Sequence, residues 1–157
     1  MTDISKHITL DEATRSNYAI LHNIPNVPGE KELQAMQHLA EVVFEPLREA
    51  IHAPIFLNSF YRAPLLNTLI GGASNSEHVL GQAMDIHADA PVTNKQLFDY
   101  IFANLPFNQL IWEFGTGSNP TWVHVSLSAG TNKHQVLQSI NRNGKTIYID
   151  ITKTYTA

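Results

Sequence analysis

The step of the apolar pattern changes along this chain, and that change constrains the fold more than any other feature. From Glu30 to His52 the apolar residues Leu33, Met36, Ala40, Val43, Phe44, Leu47 and Ile51 recur every three or four positions. That spacing is one buried stripe of a long amphipathic helix. Pro46 sits inside the stripe and should kink or divide the helix near Phe44. From Gln109 onward the step is two. Gln109–Phe114 and Thr121–Leu127 read as strands joined by the loop Gly115–Pro120. Val136–Ile140 and Lys145–Ile151 flank Asn143-Gly144, the strongest short hairpin signal. Helices followed by hairpin-linked strands predict an α+β fold, with N-terminal helices packed on a small, mainly antiparallel sheet.

The remaining segments fit that scheme. Thr9 and Glu12 form a capping box that opens a helix from Leu10 to Ile20. The Pro-rich stretch Asn23–Gly29 is an extended connection. Ile55–Phe60 reads as a strand, and Ala63–Ile70 as a short helix started by Pro64 and ended at Gly71-Gly72. Ala83–His87 is a short strand, and Thr93 caps a helix running through Leu105. At 157 residues, with no repeat or linker, the chain reads as one domain over residues 1–157, ending in a hairpin over about 134–151.

Composition narrows the chemistry. Charged residues make up 15% of the chain, below the roughly 25% of an average domain. The net charge of −4 argues against a nucleic-acid or anionic-lipid surface. No apolar run reaches the ~20 residues needed for membrane insertion. The polar N-terminus MTDISKHITLDEATRS holds no secretory signal, which predicts a chain that is cytoplasmic as synthesised. There is no cysteine, which removes disulfides, thiolate metal sites and a cysteine nucleophile together. Eight histidines remain.

Two of these histidines fall in a pattern. The segment Ser74–His87 (SNSEHVLGQAMDIH) holds His78 and Asp85, with Gly81 and Ala83 between them to permit a tight turn. Alone, such a pair is more often a hydrogen-bonded structural contact than a metal site. A third residue adds to it. In the alternating strand Thr121–Leu127, His124 shares a face with Trp122 and Ser126, opposite an aliphatic stripe of Val123, Val125 and Leu127. His78, Asp85 and His124 make the set of three protein ligands that a catalytic zinc uses, one position staying open.

Ser76-x-His78-x-x-Gly81-x-Ala83-x-Asp85, followed by Trp122-x-His124-x-Ser126, resembles the zinc D-alanyl-D-alanine carboxypeptidase family. That family includes cell-wall carboxypeptidases, D,D-dipeptidases and phage peptidoglycan endolysins. Ser59-Phe60-Tyr61-Arg62-Ala63-Pro64-x-x-Asn67 is similar to the family's Ser-Gly-Tyr-Arg-Ser-Pro element, with Phe60 where glycine is usual. Ile8-Thr9-Leu10 and Asn23-x-Pro25 resemble its small, phage-associated branch, and the resemblance spans about residues 8–127. It implies that His78, Asp85 and His124 hold one Zn²⁺. It also implies that Arg62 and Ser76 meet a peptidoglycan stem peptide. The missing secretory signal suits a phage or prophage protein released to the cell wall, with a domestic cytoplasmic protein as the alternative. A monomer is expected.

The general base does not carry over directly, because Thr121 stands where many relatives have an acidic residue. Glu113 is the nearest acid. It shares a strand face with Gln109 and Ile111, and pairing across the Gly115–Pro120 loop would set it beside Trp122–His124. We therefore assign Glu113 as the catalytic base and then acid. His87, two positions after Asp85, is read as a support for the ligands. The function expected is zinc-dependent hydrolysis of a peptide bond in the stem peptide or its cross-link. A second class stays open through Thr121: a zinc-containing module that binds cell-wall peptide without cutting it. The two strands after Gly130 lie outside the motifs and carry no assigned role.

Overall fold

The six strands among the described residues lie side by side in one sheet, in the order β1-β2-β4-β3-β5-β6. The computed structural model describes residues 3–157. The strands are β1 Phe56–Ser59, β2 Ala83–His87, β3 Gln109–Glu113, β4 Trp122–Ser126, β5 Gln135–Arg142 and β6 Lys145–Asp150. Neighbours are antiparallel except β3 and β5, which run parallel. The parallel seam needs no helical crossover, because β4 intervenes in sequence. Residues 127–134 leave β4, pass the start of β3 and enter on its other side. The backbone amides of Lys133 and Gln135 bond Asn108 there. Asn143 and Gly144 both have positive φ, as a two-residue hairpin turn requires, and β5 pairs with β6 across them.

Nine residues of the predicted helix Leu10–Ile20 are helical, as α1 Leu10–Thr14 and the start of α2 Asn17–Leu21, but the helix is not continuous. Arg15 and Ser16 are extended, and Ser16 Oγ accepts the Ala19 N–H as the cap of α2. A serine hydroxyl competes with the helical ladder for a backbone amide, and here it wins. The capping box of Thr9 and Glu12 forms as expected.

The long amphipathic segment divides where Pro46 requires. It comprises α3 Glu30–Leu39, a π-helical turn Ala40–Phe44, and α4 Glu45–Ile51 with the proline in its first turn. Glu45 N–H reaches back five residues to the Ala40 carbonyl, the wider bonding that accommodates a residue lacking its own N–H. Helices α5 Pro64–Leu69 and α6 Asn94–Asn104 complete the set, α6 starting at a Thr93–Gln96 capping box.

Alternation along the strands separates two environments. Met84, Ile86, Leu110, Trp112, Val123 and Val125 are buried against Met36, Leu39, Val43, Phe44 and Leu47 of the N-terminal helices and against Leu97, Phe98 and Ile101 of α6. The Phe98 ring meets Trp112 edge-on at 5.2 Å. Each such side chain contributes about 1.5–3 kcal/mol by leaving water. This layer makes the sheet a rigid platform. The intervening residues, Asp85, His124, Glu113 and Ser139, fall on the opposite face. Among the described residues no helix is long and apolar enough to cross a membrane.

Candidate metal centre

Asp85 and His124 meet because β2 and β4 pair with these two residues directly opposite each other. Cross-strand partners hold their Cβ atoms about 5 Å apart on one face. Asp85 Oδ1 accordingly lies 2.9 Å from His124 Nδ1. His78 arrives from outside the sheet, on a single 3₁₀ turn, Glu77–Leu80, just before β2. Ser76 Oγ accepts the His78 N–H to open that turn. Gly81 closes it at φ +70°, where a Cβ would stand 2.5 Å from the Glu32 carbonyl oxygen on α3. Only glycine combines that conformation with that approach.

The three side chains bring one potential ligand atom each within 4.8 Å of one another. His78 Nε2 is 3.2 Å from Asp85 Oδ2, and the two imidazole rings are 5.2 Å apart. His78 Nδ1 donates to the Phe60 carbonyl at 2.8 Å, since a carbonyl can only accept. In a neutral His78 this leaves the lone pair on Nε2, aimed at a carboxylate oxygen. Two acceptors facing each other call for a cation or an added proton between them, so the donor set fits a metal ion. Burial on its own would raise the Asp85 pKa. The charge and hydrogen bonds of His78 and His124 prevail, holding the carboxyl well below the usual carboxylate range. Burial would lower His124, but Asp85 beside it raises it.

Glu113 lies on the same face, opposite Trp122 on β4, with Ile111 opposite His124. It is 6% exposed. On its other side β5 places Ser139 in register, and Ser139 Oγ donates to Glu113 Oε2 at 2.5 Å. Burial, aided by the Asp85 charge, raises the Glu113 pKa, against the Ser139 hydrogen bond and the His124 charge.

Arg62 follows β1, and its backbone N–H bonds the His78 carbonyl, tying the two motifs together. Asn26 supports this turn through bonds to Thr14, Tyr61 and Ala63. The Arg62 Nε is buried without a hydrogen-bond partner. Burial disfavours its charge, and Asp85 supports it. His87 shares the face of Asp85 but sits at the strand end, where its ring stacks on Phe56 and its Nδ1 meets Asn58 Oδ1. It makes no hydrogen bond to His78, Asp85 or His124 among the described residues.

An open cleft of about 790 Å³ runs over this face, and Arg62, Ser76, His78, Asp85, Glu113 and His124 all line it. Ser139 and the cleft residue Tyr148 were not among the site residues expected from the sequence. Both stand on the hairpin marked by Asn143-Gly144, whose two-residue turn sets Ser139 opposite Tyr148. That local pairing could have been counted out from the turn; the docking of β5 on β3 could not.

The α+β sheet thus carries, on its polar face, a His-Asp-His group that could hold a metal ion, beside a buried glutamate. The model of the family described as Peptidase M15 matches residues 6–126. The chain belongs to the peptidase M15 family, a family of zinc-dependent metallopeptidases. No curated protein matches the chain.

Proposed function

We propose that this protein is a zinc peptidase that hydrolyses a peptide bond in the peptidoglycan stem peptide or its cross-link. The observation that carries the reading is the meeting of His78, Asp85 and His124 in one cleft with a buried Glu113 on the same sheet face, a glutamate with no ion pair among the described residues. His78, Asp85 and His124 are the residues that would hold the ion. Zinc bound there supplies Lewis acidity, polarising a peptide carbonyl and making water a nucleophile near neutral pH. Glu113 takes the proton of the attacking water and passes it to the leaving amine. A raised pKa suits that double task, because base strength and proton delivery are both best near the working pH. Ser139 occupies Oε2, which leaves Oε1 for the proton. Arg62, which lines the cleft, grips a substrate carboxylate with its guanidinium fork. Ser76 Oγ, already accepting from His78 N–H, keeps its own proton to donate to the peptide.

The test is metal analysis of the purified protein, followed by mass analysis of peptidoglycan it has digested. Zinc in the protein and new peptide termini, both abolished by a chelator and the termini also by Glu113→Ala, support the reading. The mass of the fragments identifies the bond, separating a D,D-carboxypeptidase from an endopeptidase. Zinc-loaded protein inert on peptidoglycan, with Glu113→Ala unaltered in peptide binding, supports a binding module instead.

A further inference from the structure

We propose that Tyr148, on the C-terminal hairpin, contacts the substrate: its hydroxyl donates a hydrogen bond to a carbonyl oxygen of the bound peptide. The inference rests on the peptidase reading above and adds a residue to its cleft. Sheet register carries it. Trp122 lies opposite Glu113, Glu113 opposite Ser139, and Ser139 opposite Tyr148, a row across four strands on one face. Two strand spacings put the Tyr148 backbone about 10 Å from that of Glu113, which a phenol side chain standing on the sheet can largely span. Tyr148 lines the same cleft as the His-Asp-His group, Glu113 and Arg62.

Its surroundings describe a group kept free. Tyr148 is 55% exposed, and its hydroxyl has no protein hydrogen bond among the described residues. Tyr155 shows the contrasting case. Its ring packs edge-on against Phe98 and Phe102, and its hydroxyl donates to Asp99. Partial burial and the nearby Glu113 and Asp85 charges raise the Tyr148 pKa, against the opposing effect of Arg62. The hydroxyl therefore stays protonated, hence a donor, where Glu113 is ionised. Arg62 follows the edge strand β1, and Tyr148 stands on the opposite edge strand β6. A peptide lying over the metal group thus meets a cation on one side and a neutral donor on the other. Tyr148 also lies beyond the family-matched residues 6–126, so it belongs to what the hairpin adds to the family's motif set.

The test compares wild type with Tyr148→Phe, each zinc-loaded and full length, on a synthetic stem peptide. Binding of the same peptide is measured in the Glu113→Gln background with and without Tyr148→Phe. The expected result is a fall in kcat/KM of tenfold or more and binding weakened at least threefold, with zinc content and Tm unchanged. Cleavage and binding within twofold of the parent proteins overturn the inference alone. A parallel loss of zinc or of Tm also overturns it, since the ring would then be structural. A wild type that neither cleaves nor binds the peptide overturns the peptidase reading, and this inference with it.

Discussion

Ser139 Oγ donates to Glu113 Oε2 at 2.5 Å and accepts from the Phe114 N–H at 3.2 Å. The hydroxyl's single proton therefore has one destination, and the bond favours the ionised carboxylate. Ser139 is fully buried, so water does not readily replace it.

Ser139→Ala removes a contribution that lowers the Glu113 pKa, so that pKa rises further. A base works deprotonated, and activity is lost as pH falls through its pKa. The acidic limb of the kcat/KM profile should thus move to higher pH, with kcat at neutral pH down about tenfold. Ser139→Thr, which restores a hydroxyl, should move the limb back. A limb that stays in place in Ser139→Ala excludes the positioning role.

Metal binding should depend on all three ligands. Wild type should hold one zinc per chain, and His78→Ala, Asp85→Ala and His124→Ala should each hold almost none. Zinc at 100 times its Kd adds about 2.7 kcal/mol to the folded state. Chelation should then lower Tm by about 5–10 °C. Differential scanning calorimetry with and without chelator measures this, and an unchanged Tm argues against a metal at the site.

Arg62 is expected to act on the substrate's carboxylate. Arg62→Lys keeps the charge but loses the planar fork, and should raise KM about tenfold with kcat little changed. Amidating the peptide's C-terminus should raise KM in wild type, and should add little more in the variant. Full additivity of the two changes would show that Arg62 binds some other group.

Gly81 closes the turn that delivers His78. Gly81→Ala forces a Cβ into a left-handed conformation at φ +70°, 2.5 Å from the Glu32 carbonyl oxygen and 2.9 Å from Met36 Cγ. The strain and the clash together should cost about 2–4 kcal/mol. Denaturant unfolding reads that cost, and competition with a chromophoric chelator should show weaker zinc binding. Wild-type stability in the variant would mean that α3 yields at no cost.

Much of the architecture is written in short-range patterns. The three- and four-residue stripe from Leu33 to Ile51 and the proline within it defined a divided helix, because periodicity and a missing N–H act locally. Alternation in Thr121–Leu127 put His124 on the polar face, and alternation in Gln109–Phe114 did the same for Glu113, since a strand's side chains can only alternate. The Leu10–Ile20 helix failed as a unit at Arg15, where a serine cap competing for one amide outweighed a weak apolar pattern.

The His78, Asp85 and His124 set, and Glu113 beside it, could be picked out from residue types and spacing. What only the tertiary structure decided depends on partners far apart in the chain. The Phe60 carbonyl selects the His78 nitrogen that faces Asp85. The passage of residues 127–134 around the start of β3 lays β5 parallel to it, and so brings Ser139 to Glu113 and Tyr148 to the cleft. Turn chemistry and strand period are properties of a few adjacent residues. The order of strands in a sheet is settled by burial of the whole apolar face, which no local pattern contains.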